Sequence, residues 1–218
     1  MAEAAGITER MTERMTEQVP ERVPEQTPAS IATLWFVVIA AQAAIWWRAV
    51  AWFGQLPARF PSGFDAAGNP RGWTATSAPA WFALPAIALV LAALIVGVAL
   101  LTRSLVRHRP NLVNVPSKEL FLRLSPDARL RAVARPTQVF LLWTLLLLSL
   151  LFLWIVEGTA LVAVGSAATL PSWPIFVFLG LEMVTVPVYL IGVIGRVKRE
   201  ADAEGVTAML RAPHEVSR

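Results

Sequence analysis

The chain has 218 residues with a mean hydropathy of +0.58, and 56% of its residues are hydrophobic. Soluble domains have an apolar content of roughly 45–50%, so the composition excludes an ordinary soluble domain and favours a protein of the lipid bilayer. There is no cysteine and there are only two histidines. A disulfide framework and thiol catalysis are therefore excluded, and a zinc site built from histidines is not expected.

The first thirty residues form an acidic segment in which a four-residue unit drifts from Thr-Glu-Arg-Met to Pro-Glu-Gln-Thr. Six glutamates against three arginines exclude the positively charged start of a signal peptide. Methionine and valine recur every four residues as far as Val19, but Pro20, Pro24 and Pro28 interrupt any longer helix. We predict a disordered acidic N-terminal tail over residues 1–30, with a short docking helix as the alternative.

Four long apolar runs follow, over about residues 31–53, 79–101, 137–156 and 173–195. Because a bilayer core of about 30 Å needs roughly 20 helical residues, each run is long enough to span it. The predicted fold class is an all-α integral membrane protein with a four-helix transmembrane domain over residues 31–195. An ordered extracytoplasmic loop, residues 54–77, is expected between the first two spans.

The distribution of lysine and arginine predicts the orientation. With both termini and the loop 103–136 in the cytoplasm, 16 of these residues are inside and the two of loop 54–77 are outside. This is the positive-inside pattern expected in a cell (plasma) membrane, and it makes the tail 196–218 cytoplasmic. The arginines of loop 103–136 either set the topology alone or also attract anionic headgroups. Because no nucleic-acid motif accompanies the net charge of +4, no nucleic-acid partner is expected.

Two short helices are predicted within loop 103–136. Ser117 is expected to cap the first of them. Ser125 followed by Pro126 and Asp127 is a typical helix start, because proline suits the first helical position and an acid suits the first turn.

The loop between the first two spans holds most of the unusual residue chemistry, in the segment from Leu56 to Trp73. Three prolines and several turn residues interrupt every periodic pattern, so we predict a rigid loop that contains neither helix nor strand. Gly68 is expected at positive φ, and the Asp65 carboxylate is expected to cap a turn by accepting from backbone amides near Gly68. The candidate recognition loop consists of Arg59, Phe64, Asp65, Gly68, Asn69, Pro70, Arg71 and Trp73.

This segment resembles a bacterial membrane-protein family known as domain of unknown function 1648. The matching residues, in order and without gaps, are Leu56, Pro57, Pro61, Phe64, Asp65, Gly68, Pro70, Gly72 and Trp73. Two positions depart from the family pattern, since Gly63 stands where the family usually has histidine and Arg71 where it often has an acidic or small polar residue. The segment from Asn111 to Leu122 is also similar to the loop that follows the second helix in that family. The family is similar to the N-terminal part of immunity proteins against a sporulation-delaying toxin, so the resemblance implies an immunity-like role.

One acid lies inside the fourth run. Glu182 is near the middle of the bilayer, and Thr185 and Tyr189 follow it on the same helical face. A charge at that depth is costly, so we predict a neutral Glu182 that joins helices by hydrogen bonding, with a proton- or cation-linked pathway as the alternative. Polar partners available on other helices are Gln42, Thr144 and Ser149. The first run reaches Phe53 if Arg48 extends outward to the membrane surface, and Glu157 is interpreted as a residue of the span boundary.

The sequence contains no nucleophile elbow, no zinc-protease motif and no phosphate loop, so neither an enzyme nor a cofactor is expected. Three function classes remain. The first is a sensor or immunity-like protein whose outer loop binds a peptide, a toxin or an envelope component, and it is favoured because the resemblance falls on that loop. The others are a small transporter or transporter subunit that uses Glu182, and a structural subunit of a membrane complex. The expected partners are the lipid bilayer and such a ligand, and a homo-oligomer is left open.

Overall fold

The computed structural model describes residues 28–211, so the repeat of the predicted N-terminal tail and residues 212–218 lie outside the described part. The chain divides into two compact units, Met1–Ala32 and Thr33–Arg218. Of the first unit only residues 28–32 are described, and they are helical. The contacts reported below are those of the second unit.

The described part of the chain is mostly helical. The elements in chain order are α1 (Pro28–Phe53), β1 (Arg59–Phe64), β2 (Pro70–Ala75), α2 (Ala78–His108), a 3-10 turn (Pro110–Leu112), α3 (Lys118–Arg123), α4 (Pro126–Ala163), α5 (Trp173–Ala203) and α6 (Val206–Arg211). Four of these helices, α1, α2, α4 and α5, are long and apolar enough to cross a membrane. The prediction of four helices long and apolar enough to span a membrane, as in a multi-pass membrane protein, is therefore confirmed.

Three spanning helices extend beyond the apolar runs. Helix α2 continues to His108 instead of ending near residue 101, α4 begins at Pro126 instead of near 137, and α5 continues to Ala203 instead of ending near 195. Apolar character indicates where the bilayer lies, whereas a helix ends only where its backbone is interrupted. Gly165 and Gly205, both at positive φ, lie two residues after the last residues of α4 and α5, where a left-handed glycine commonly ends a helix.

The segment predicted as a basic loop folds into a helical cap at one end of the helices. Ser125 caps α4 as predicted, because its Oγ accepts from the backbone N–H of Ala128 at 3.3 Å. Ser117 makes no side-chain cap, since it lies in the left-handed region at φ 60° and an N-cap needs an extended backbone. The cap has its own core, formed by Val106, Phe121, Leu124, Ala128, Ala132, Val133, Ala134, Val193, Val197, Ala201 and Val206.

The loop between α1 and α2 is an antiparallel β-hairpin, so the prediction that it contains no strand is wrong. Strand β1 pairs with β2 from Arg59 opposite Ala75 to Phe64 opposite Pro70, with register shifts on either side of Gly63. The prolines are compatible with this ladder for two reasons. Pro61 borders a register shift and Pro70 is the first residue of its strand, and both are positions where a missing N–H is tolerated in a strand.

A second core lies under the hairpin, at the end of the bundle opposite the helical cap. It joins α1, the hairpin, α2 and α4 through the buried residues Ile45, Ala49, Phe60, Trp81, Ala88, Val156 and Ala160. We call this the hairpin end of the bundle. The hairpin is thus attached to three spanning helices by buried apolar contacts.

Candidate functional site

The hairpin has two chemically different faces. Along β2, Arg71, Trp73 and Ala75 alternate with less exposed residues, so they share one face of the strand. Arg59 is directly opposite Ala75 in the register, which places its side chain on that face as well. We call the side chains of Arg59, Arg71 and Trp73 the exposed face. The Trp73 side chain is 49% exposed, although tryptophan is a large apolar residue.

The opposite face of the hairpin is anchored by Phe60. This residue is buried and meets Trp81 of α2 edge to face, with the ring centroids 5.3 Å apart. The Trp81 indole N–H in turn donates to the backbone carbonyl of Ala49 in α1 at 2.7 Å. Aromatic pairs of this geometry are stabilising beyond the area they bury. Phe60 and Trp81 therefore link the hairpin to two spanning helices.

The turn at the tip of the hairpin is organised by Asp65, as the sequence predicts. Its Oδ1 accepts from the backbone N–H groups of Ala67 at 2.9 Å and Asn69 at 2.8 Å, and its Oδ2 accepts from the Asn69 side-chain amide at 3.1 Å. The bonds from the Asn69 side chain and backbone hold the pKa of the Asp65 carboxyl below its ordinary value. Asp65 and Asn69 therefore stabilise the turn, and their polar atoms are largely engaged there.

The tip of the hairpin contacts the loop between α4 and α5 through Leu170. The Leu170 backbone N–H donates to the Gly68 carbonyl at 2.8 Å, and its side chain is buried beside Gly158 of α4. Gly68 has φ +82°, as predicted, and a Cβ added to it would lie 1.9 Å from the Leu170 carbonyl oxygen. Glycine is needed at this position both for the backbone angle and for the close approach.

An ion pair joins α1 and α4 at the hairpin end. The Arg48 guanidinium contacts the Glu157 carboxylate with two hydrogen bonds, at 2.8 and 2.6 Å, and the Trp52 indole N–H donates to the same carboxylate at 3.0 Å. The pairing of Arg48 with Glu157 was not predicted, and the interpretation of Glu157 as only a boundary residue is wrong, because its carboxylate joins α4 to α1. The available signal was that Arg48 lies near the end of the first apolar run and Glu157 directly after the third, so the two opposite charges are at the same end of α1 and α4. Charges at such positions are stabilised by pairing with each other.

The intramembrane acid Glu182 contacts α4, as predicted. The Thr144 hydroxyl donates to Glu182 Oε2 at 3.3 Å, and the Thr185 hydroxyl lies 3.5 Å from the same oxygen. The other carboxyl oxygen, Oε1, is buried and has no hydrogen-bond partner within residues 28–211. Of the other predicted partners, Gln42 donates to Ser149 at 2.9 Å instead. Among the described residues, the Glu182 side chain therefore links α5 to no helix other than α4.

Tyr189 forms a separate contact one to two turns further along the same two helices. Its hydroxyl is 2.7 Å from the Thr137 hydroxyl, and its ring stacks on Phe140 with the centroids 4.6 Å apart. Because Thr137 already donates to the backbone carbonyl of Val133, the Tyr189 hydroxyl is the donor in this pair. The predicted group of Glu182, Thr185 and Tyr189 is therefore two interhelical contacts and not one site.

The structure assigns the predicted loop residues to two roles. Arg59, Arg71 and Trp73 are on the exposed face, whereas Asp65, Gly68 and Asn69 shape the turn. Phe64 and Pro70 pair where the strands end. Within the described residues, no three histidine, cysteine, aspartate or glutamate side chains come together as a metal site.

No family model, no curated protein and no solved structure matches this chain.

Proposed function

We propose that this multi-pass membrane protein recognises a peptide, a toxin or another envelope component at the outer surface of the membrane, through the exposed face of the hairpin. The observation that carries the proposal is the composition of that face. In the part of the chain that the structure describes, the side chains of Arg59, Arg71 and Trp73 make no hydrogen bond, ion pair or ring contact. Arginine and tryptophan are the residues most enriched at the energetic centres of protein interfaces.

The attachment of the hairpin supports the same proposal. Phe60, Gly68 and Asp65 hold the backbone through a buried ring, a close approach and a capped turn. A surface that is fixed before it binds loses less conformational entropy on binding than a flexible loop does. The resemblance to domain of unknown function 1648, and through it to immunity proteins, is part of this proposal, because the resemblance falls on the same hairpin.

The placement of the hairpin outside the cell is tested first. The excess of lysine and arginine at the helical cap favours a cytoplasmic cap. Because the chain contains no cysteine, single cysteines can be introduced on a clean background. We expect a cysteine in place of Asn69 to react with an impermeant thiol reagent in intact cells and one in place of Ser117 to react only after lysis. The reverse pattern would put the hairpin in the cytoplasm and refute the proposal.

Recognition itself is tested by photocrosslinking in intact cells. A benzoylphenylalanine at position 73 is expected to give a discrete adduct with an envelope component, identified by mass spectrometry. The same group at Leu94, which is exposed in the middle of α2, is the matched control and should react with lipid alone. Combining Arg59→Gln with Arg71→Gln should abolish the adduct at position 73 without lowering the amount of protein in the membrane. An adduct that survives both substitutions would show that the exposed face does not select its partner.

A second candidate function, transport, is favoured by one observation. The buried Glu182 Oε1 has no partner in residues 28–211, so this carboxyl has an unused binding atom inside an apolar span. A proton- or cation-conducting role predicts that Glu182→Gln abolishes flux into proteoliposomes while the protein stays folded. Unchanged flux, or none in the unsubstituted protein, would leave Glu182 as an interhelical hydrogen-bond group only.

A further inference from the structure

Helices α2 and α5 carry positive charge where they leave their apolar runs and enter the helical cap. Helix α2 continues past about residue 101 to His108, and α5 continues past about residue 195 to Ala203. These two continuations carry five lysine and arginine side chains, which we call the basic belt: Arg103, Arg107, Arg196, Lys198 and Arg199. Four of the five are exposed, and Arg196 is half-buried.

The basic belt lies close to the depth of the lipid headgroups. Because a helix rises by about 1.5 Å per residue, Arg103 and Arg107 are about 3 and 9 Å beyond the apolar run of α2. Arg196, Lys198 and Arg199 are about 2–6 Å beyond the apolar run of α5. The headgroup layer extends roughly 5–8 Å beyond each side of the hydrocarbon core. The long side chains of the belt can therefore reach lipid phosphates.

The acidic side chains of α5 lie further from the membrane than its basic ones. The three cations are followed along the chain by Glu200, Asp202 and Glu204, which are about 8–14 Å beyond the apolar run. Helix α4 has a similar arrangement, since Asp127 is about 15 Å from its apolar run. Glu200 is nearest to the membrane, and it is neutralised by Arg131 at 2.8 Å. The carboxylates that would repel an anion from the headgroup layer are therefore paired or distant.

The fold of the cap does not use the cations of the belt. The carboxylates on this part of α5 bond to α4 instead, Glu200 to Arg131 and Glu204 to the backbone N–H of Ser125. Within residues 28–211, none of the five belt cations forms a salt bridge. Membrane topology requires an excess of lysine and arginine on this side, but it does not require that they remain without counterions. An external anion at the headgroup layer would supply the missing charge.

We infer that the basic belt binds the phosphate groups of anionic phospholipids in the leaflet that surrounds the helical cap. Each lysine or arginine close to a membrane surface strengthens binding to anionic lipid about fivefold. Lipids bound in this way hold the ends of α2 and α5 at the membrane surface. The inference concerns the end of the bundle opposite the hairpin and needs no ligand on the exposed face. The assignment to the cytoplasmic leaflet alone rests on the orientation in the proposed function.

The inference is tested with the full-length protein in a neutral detergent. Phosphatidylglycerol or phosphatidylcholine is titrated, and native mass spectrometry gives the dissociation constant of the first bound lipid. We expect phosphatidylglycerol to bind about tenfold more tightly than phosphatidylcholine. Replacing Arg103, Arg107, Lys198 and Arg199 together by glutamine should bring this ratio close to one. Because these four side chains are exposed, the variant should still fold, and unchanged binding of phosphatidylcholine checks this.

Two matched variants separate the belt from net charge. Replacing Arg103, Arg107 and Arg199 by lysine keeps the charge and should keep the preference for phosphatidylglycerol. Lys118 and Arg123 are also exposed and form no salt bridge within the described chain, but they lie on α3, which packs against α6 beyond the end of α5. Lys118→Gln combined with Arg123→Gln should therefore leave the ratio unchanged.

Three results would overturn the inference. Equal affinity for the two lipids in the unsubstituted protein would mean that the cap does not select anionic headgroups. A preference that survives the fourfold glutamine variant would place the lipid site elsewhere. An equal loss of preference in the α3 variant would show that total charge, and not the belt, attracts the lipid. Detergent leaves both ends of the bundle accessible, so these results are independent of the cysteine-labelling and crosslinking experiments, and either proposal can fail without the other.

Discussion

The contact between Gly68 and Leu170 can be tested by comparing two glycines with nearly the same backbone angle. Gly68 has φ +82° and Gly165 has φ +78°, but the space around them differs. A Cβ on Gly68 would lie 1.9 Å from the Leu170 carbonyl oxygen, whereas a Cβ on Gly165 would meet nothing within 4 Å. Gly165→Ala therefore measures the backbone strain alone, and Gly68→Ala measures the same strain together with the loss of the Leu170 contact.

The expected cost differs accordingly. Left-handed backbone angles cost an alanine roughly 1–2 kcal/mol, and this applies to both variants. At Gly68 the added methyl group also displaces Leu170, which removes a hydrogen bond that contributes about 0.5–1.5 kcal/mol. It further exposes the buried Leu170 side chain, whose full burial stabilises by about 1.5–3 kcal/mol. Gly68→Ala should therefore lower the free energy of unfolding by about 2–4 kcal/mol more than Gly165→Ala does.

The assay is equilibrium unfolding in detergent, followed by tryptophan fluorescence, with hydrogen exchange of the Leu170 amide as a local measurement. That amide should be protected in the unsubstituted protein and in Gly165→Ala, and should exchange rapidly in Gly68→Ala. Gly158→Ala is a further control, because its Cβ would meet only the end of the Leu170 side chain, which can rotate away. Equal destabilisation by Gly68→Ala and Gly165→Ala would refute the reasoning, since the hairpin tip would then not be attached through Leu170.

The other predictions concern three carboxylates. A double-mutant cycle with Arg48→Gln and Glu157→Gln should give a coupling free energy of about 1–2 kcal/mol in detergent unfolding, and a value near zero would mean that the ion pair does not hold α1 to α4. Glu182→Gln should leave stability nearly unchanged and Glu182→Leu should lower it by about 0.6 kcal/mol, and a larger loss with glutamine would contradict a hydrogen-bonding role. Because hydrogen bonds lower the folded pKa of Asp65, its contribution to the turn is complete above the unfolded pKa of about 3.9 and is lost as the pH falls through the folded pKa. The protection factor of the Asn69 amide, its exchange rate relative to an unstructured amide at the same pH, should therefore fall at acidic pH, and Asp65→Asn should remove that dependence.

Features that depend on neighbouring residues were predictable from the sequence. The spans follow from apolar length, the Ser125 cap follows from the Ser-Pro-Asp order, and the positive φ of Gly68 follows from the turn around it. The two strands of the hairpin were not predicted, and the reason is also found in the local sequence. Prolines exclude an interior strand, but in a two-stranded ribbon every strand is an edge, and a proline is tolerated at a strand start or beside a register shift.

Contacts between distant residues were mostly not predictable. Arg48 and Glu157 are 109 positions apart, and nothing in either local sequence specifies which faces of α1 and α4 meet. Leu170 lies in a loop without any distinctive motif, so its role beside Gly68 is visible only in three dimensions. Thr144 was predicted as a partner of Glu182 only as one of three candidates. Polar side chains in apolar spans are few and tend to hydrogen-bond to one another, which narrows the choice without deciding it.

The two faces of the hairpin differ in what folding requires of them. Phe60, Gly68 and Asp65 each make contacts that hold the backbone, so their identities are explained by the fold. The side chains of Arg59, Arg71 and Trp73 make no hydrogen bond, ion pair or ring contact in the described chain. The Trp73 indole remains half exposed, and the guanidinium groups of Arg59 and Arg71 on either side of it form no salt bridge. Such an exposed apolar group favours association with other molecules. Such residues are favoured where something binds them, and the supporting residues explain why the hairpin can present them in a fixed arrangement.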